Sequence, residues 1–188
     1  MANLKCEYPE GCMLDLWAKV IKAKYIERQA QILDTSFCVP TEQVGGKISS
    51  VEHIMVNVLD KREEFQPNSV GIYIDYEIIM TVAVGREFKV VMLRDFYEKV
   101  IDLQNFDPPL THEEFKMEID QSELILTNWE FRPDIKGNCE DKSNLCHIST
   151  PISGTCLGLQ VYVDIIDKLG KMHDIIIYGE LDPETDFD

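Results

Sequence analysis

The stretch GIYIDYEIIMTVAV at 71–84 alternates its side chains with a two-residue period. Ile72, Ile74, Tyr76, Ile78, Met80, Val82 and Val84 share one face, while Asp75, Glu77 and Thr81 stand on the other among mixed neighbours. Only extended chain places every second residue on the same side, so this segment is a long strand with one face in a core. CLGLQVYVDIID at 156–167 repeats the pattern, with Leu157, Leu159, Val161, Val163 and Ile165 opposite Gln160, Tyr162 and Asp164. LGK at 169–171 reads as a turn into MHDIIIYGEL, rich in β-branched residues, which predicts a terminal hairpin.

Further strands are expected at 47–59, 87–93 and 114–126, set apart by turn signals at Gly45-Gly46, QPNS, Gly85 and DPP. Many strands at short spacing without long helices between them predict a mainly β, antiparallel, sandwich-like domain. The segment 13–30 fits two periods. Met13, Leu16, Trp17, Val20 and Ile21 have helical spacing, which leaves a short N-terminal helix as an option beside an edge strand. DFYEKVIDL at 95–103 likewise fits a short helix or an irregular edge. The expected organisation is an N-terminal cysteine-bearing arm at 1–17, one β domain at 18–181 and a solvated acidic tail at 182–188.

A chain of 188 residues can bury a core without metals or disulfides to hold it. Its formal net charge of -16, from 34 acidic against 18 basic residues, repels phosphate backbones and excludes nucleic acid and anionic membranes as expected partners. No run approaches the roughly 20 apolar residues that span a bilayer, and the first residues lack a basic segment followed by an apolar run. Synthesis in the cytosol is the resulting expectation, with no membrane insertion.

The order of segments is also informative. QAQILDTSFCVP is followed by EQVGGKISSVEHIMVNVLD, QPNSVGIYIDYEIIMTVAV and FKVVMLRDFYEKVIDL, and later by LGLQVYVDIIDKLGKMHDIIIYGEL. This succession resembles the SPOCS-type domain of spore-coat, spore-morphogenesis and exosporium proteins of endospore-forming bacteria, over residues 18–181. The resemblance implies a mainly β fold used for assembly, deposited on the spore surface from the mother-cell cytoplasm. It implies partners that are copies of the chain itself and other spore-envelope proteins, and carries over no catalytic residue. The peptidoglycan-binding repeat of larger members is missing, which favours a small envelope subunit over an anchoring factor.

The six cysteines raise three readings. KGNCEDKSNLCHISTPISGTC at 136–156 places Cys139, Cys146, His147 and Cys156 together, but paired zinc ligands usually stand two to four residues apart, so no metal is expected. Cys6 and Cys12 bracket a Pro- and Gly-bearing turn that can bring two thiols together. Cys38 and Cys156 sit in apolar company at strand edges and are expected as buried thiols. Cys6, Cys12, Cys139 and Cys146 lie in polar or terminal segments, and are expected to form intermolecular disulfides that lock an assembly.

Catalysis is not expected. Cys146 beside His147 lacks nucleophile-elbow glycines, and no phosphate-cradling loop, dinucleotide fingerprint or paired-histidine motif occurs, so neither catalytic residues nor a cofactor are assigned. His53, His112 and His173 fall in or beside strands. Trp17, Trp129, Tyr73 and Tyr162 are read as core or interface residues rather than a sugar platform. The function expected is a non-enzymatic, self-assembling structural subunit of a spore envelope, with a protein-binding β-sandwich module as the alternative.

Overall fold

A computed structural model describes residues 5–6, 12–142, 146 and 152–179, with side chains over 17–141, 146 and 152–174. The fold is mainly β. Seven strands form two antiparallel sheets: β1 (Lys5–Cys6), β2 (Cys12–Pro40), β7 (Gly154–Gly179) and β6 (Gln121–Asn138) in one, and β3 (Ile48–Gln66), β4 (Ser69–Val84) and β5 (Glu87–Asp102) in the other. We call these sheets A and B. Two short helices, α1 (Thr41–Val44) and α2 (His112–Glu118), occupy the connections.

The alternating runs that stand out in the sequence are the central strands. β4 buries Val70, Ile72, Ile74, Tyr76, Ile78, Met80, Val82 and Val84. β7 buries Leu157, Leu159, Val161, Val163 and Ile165, and the two rows belong to one core. Packing between sheets excludes water from both inner faces, and this apolar burial is the main driving force for the fold. Polar bonds fix the register of one sheet on the other. The Tyr76 hydroxyl donates to the Ile32 carbonyl at 3.1 Å, Lys99 donates to the Glu27 carboxylate at 2.7 Å, and the Ile48 N–H donates to the Thr155 hydroxyl at 3.0 Å.

Two expectations about local structure are corrected, and one left open between helix and strand is settled as strand. No hairpin turns at 169–171; β7 continues through it to Gly179. Gly170 is needed for close approach instead, because a Cβ there would lie 2.5 Å from the Val20 carbonyl oxygen of β2. The segment 114–126 is divided between α2 and β6. Thr111 and Glu114 form a reciprocal capping box that starts the helix, and Phe115 is buried edge-to-face against Phe65 at 5.4 Å. Residues 13–30 are strand rather than helix, since β7 offers them a hydrogen-bonded partner along their length. β2 therefore runs through the boundary expected at residue 17, and 95–102 extends β5. The acidic tail lies outside the described residues.

The turn signals carry the left-handed conformations they suggest. Gly45 and Gly85 have φ of 83° and 62°, values that side-chain-bearing residues avoid. Leu103, Phe106 and Leu110, between β5 and α2, are also buried in the core.

Candidate functional site

Four cysteines converge at one end of sheet A. Cys38 in β2 and Cys156 in β7 are register partners, and Gly137 and Asn138 of β6 pair with Cys156 and Thr155. Cys139 follows directly, its N–H donating to the Gly154 carbonyl at 3.1 Å. Cys139, Cys146 and Cys156 are buried together, with Cys38 packed against them. The bonds formed are Cys38–Cys139 and Cys146–Cys156, with Cα separations of 5.7 and 6.2 Å.

This corrects the expected roles. Cys139 and Cys146 are not thiols offered to another subunit, because sheet A brings their partners within bonding distance in the same chain. Cys156 is buried as expected and Cys38 only partly so, and both are disulfide partners rather than thiols. Cys6 and Cys12 are register partners in the β1–β2 pair, and their side chains lie outside the described residues, as does His147.

A second cluster organises the outer face of sheet A. Gln29 and Asn128 are, among the described residues, the non-glycine residues with left-handed backbones, at φ of 50° and 53°. Each sits in a β-bulge, one in β2 and one in β6, on either side of β7. The buried Asp164 carboxylate of β7 lies between them. It accepts the Gln29 N–H at 2.8 Å, the Asn128 side-chain amide at 2.9 Å and the Arg28 guanidinium at 2.9 Å. The Asn128 bond, followed by the Gln29 N–H, holds this carboxyl below the usual carboxylate range.

A third cluster lies between the sheets. Asp167 of β7 is fully buried, and neither of its oxygens has a hydrogen-bond partner. Glu63 of β3 faces it and accepts the Ser122 hydroxyl at 2.7 Å with one oxygen, while its other oxygen has none. Burial, reinforced by Glu63, pushes Asp167 up to about 8, and Lys19 opposes the shift.

A further exposed feature is apolar. On the outer face of sheet B, register rows run across all three strands as Ser50–Ala83–Phe88, His53–Thr81–Val90 and Met55–Ile79–Met92. Phe88 is 68% exposed, Met92 63%, Val90 58% and Met55 49%. None of these row members is Asp, Glu, Lys or Arg, although the chain has a net charge of -16; the exposed Glu52, in the β3 bulge between Val51 and His53, accepts the Ser50 hydroxyl and sets a carboxylate at their edge. The next row, Asn57–Glu77–Arg94, restores charge. β5 is also an edge strand, and Lys89, Asp95 and Lys99 alternate with its exposed residues on the inward-facing side. Inward-pointing charges blunt a sheet edge against strand addition.

A family model described as a domain of unknown function, DUF8305, matches residues 55–182. The chain belongs to the DUF8305 family. The DUF8305 region begins within β3 and takes in all of β4, β5, α2, β6 and β7, whereas β2, the hydrogen-bonded neighbour of β7, precedes it. No curated protein and no solved structure matches the chain. Among the described residues, no helix is long and apolar enough to cross a membrane.

The sequence reading missed the sheet B face, Asp164 and Asp167. A signal for the first was present in EFKVVML, where Val90 and Val91 are adjacent and Met92 and Leu93 follow. Consecutive apolar residues in a strand load both faces. The two aspartates left no such signal, since each depends on neighbours brought from strands distant in sequence. The aromatics divide: Trp129 packs on the core, Tyr73 and Tyr162 lie under Arg62 and Arg132 at 5.0 and 4.5 Å, and Trp17 is exposed.

Proposed function

We propose that this DUF8305 chain is a non-enzymatic structural subunit that self-associates through the outer face of sheet B, in the outer layers of a bacterial spore. The setting is supported by the order of segments that resembles the SPOCS-type domain. The mode of association is supported by the exposed apolar rows on β3, β4 and β5, whose paired positions carry no Asp, Glu, Lys or Arg. Copies carrying a net charge of -16 repel each other, so they meet most favourably where each presents least charge. A second copy brings the same apolar surface to these rows. An isologous pairing then buries both patches around a two-fold axis.

Apolar burial supplies the attraction, at roughly 25 cal/mol for each Å² removed from water. Salt screens the acidic remainder, with a Debye length of about 10 Å at 0.1 M, so association strengthens as ionic strength rises. Sedimentation velocity over a protein concentration series tests this. The wild type is expected to associate, more so in salt, and Met92→Glu with Val90→Glu is expected to remain a monomer of unchanged circular dichroism. A wild type that stays monomeric at every concentration and salt level contradicts the proposal, and would favour a binding module for a different protein.

A further inference from the structure

The cysteine cluster carries more than a pair of structural cross-links. We propose that, once reduced, Cys38, Cys139, Cys146 and Cys156 form a tetrathiolate site for a zinc-type divalent ion, and that the two disulfides are the oxidised form of the same site. The sequence pattern offered three thiols and a neighbouring histidine with poor spacing; the fold adds Cys38, which lies 101 residues from Cys139 in the chain.

The placement suits such a site. β2 and β7 present Cys38 and Cys156 from register positions, and Cys139 follows directly on β6 with its N–H bonded to the Gly154 carbonyl, so three sulfurs are held at or beside the strands of one sheet. Rigid strand positions give the preorganisation that metal sites need. In a tetrahedral site with Zn–S bonds of 2.3 Å, adjacent sulfurs stand about 3.8 Å apart. The two pairs belong to one cluster in which Cys139, Cys146 and Cys156 are buried and Cys38 packs against them. Gly154 keeps the space beside the sulfurs clear: a Cβ there would stand 2.9 Å from the Cys38 Sγ and 3.1 Å from the Cys139 Sγ, and would strike the Val39 carbonyl.

The chemistry balances with a dithiol as reductant. Each protein disulfide accepts two electrons and two protons, and the dithiol is oxidised to its own disulfide. Four protein thiols result. Zinc binding displaces their four protons to solvent and leaves a centre of formal charge -2. Lys136 offsets part of that charge, since its side chain lies against Gly158, two residues along β7 from Cys156, and its ammonium donates to the Ser36 hydroxyl at 2.8 Å. Among the described residues of the oxidised form no group of ligands is arranged to hold a metal, so the site requires reduction first.

Alkylation mapped cysteine by cysteine tests the assignment on the full chain, reduced with a dithiol and freed of reductant without oxygen. One equivalent of zinc is expected to protect Cys38, Cys139, Cys146 and Cys156 together, and a chelator to expose all four. Cobalt in place of zinc is expected to give the absorption of a four-sulfur site. Because metal binding and folding are linked, zinc should also restore any melting temperature lost on reduction. Protection that omits Cys38, or that His147→Ala abolishes, would return the ligand set to the local sequence pattern and overturn the proposal. Failure of the reduced chain to bind zinc or cobalt would overturn it as well.

Discussion

The backbone N–H of Gln29 donates to the Asp164 carboxylate at 2.8 Å, and this bond holds a left-handed non-glycine residue inside a strand. Asn128, on the other side of β7, is tied to the same carboxylate by its side chain. One acidic residue thus secures two bulges in two neighbouring strands. Asp164→Ala is expected to lower the melting temperature and to raise hydrogen exchange around 28–30 and 127–130 more than in β4. The sheet A bulges would then relax while the sandwich persists. Exchange at Gln29 and Asn128 that does not change would show that the bulges are set by other contacts.

The disulfides are expected to contribute unequally. Cys38–Cys139 closes a loop with a sequence separation of 101, and Cys146–Cys156 one of 10. Loop-closure entropy assigns about 5 and about 3 kcal/mol to loops of these sizes. Replacing both members of the first pair with Ala should therefore destabilise the oxidised, metal-free chain by about 2 kcal/mol more than replacing both members of the second. Denaturant melts of the two double variants give the comparison, and a larger loss for the shorter loop would contradict it.

Asp167 makes stability depend on pH in a direction opposite to that of most carboxylates. Its folded value is raised to about 8 from an ordinary value of 3.8. Between those values the folded state holds a proton that the unfolded state has released, so stability falls as pH rises through this window. The groups facing the carboxyl are Glu63 of β3, which reinforces the shift, and Lys19 of β2, which opposes it. Asp167→Asn keeps the neutral form at every pH. It should be close to the wild type near pH 4 and more stable than the wild type at pH 8. Melting curves across pH 4–9 would contradict this account if the two proteins kept parallel profiles.

How much of this was legible in the chain depended on how local each signal was. The alternation of β4 and β7 needs only neighbours two residues apart, so fold class and central strands could be read directly. Gly170 misled because a glycine needed for close approach to Val20 looks the same in sequence as a glycine in a turn. The Thr111 and Glu114 capping box was present in the sequence, yet the apolar residues that follow favoured a strand reading. Cysteine pairing was the least legible feature. Polar surroundings at Cys139 suggested exposure, and only the register of β2, β7 and β6 reveals Cys38 as its partner.

The central claim is that copies of the chain meet on the outer face of sheet B, and methionine oxidation reads that face directly. Met55 and Met92 lie in its apolar rows at 49% and 63% exposure, while Met117 on α2, at 62%, stands outside those rows and provides an internal reference. Oxidation rates are measured by peptide mass spectrometry in dilute protein and in concentrated protein at elevated salt. The account predicts that Met55 and Met92 become several-fold slower to oxidise in the concentrated sample while Met117 is unchanged. Equal rates for all three at both concentrations, in a sample whose sedimentation shows association, would place the contact elsewhere and contradict the account.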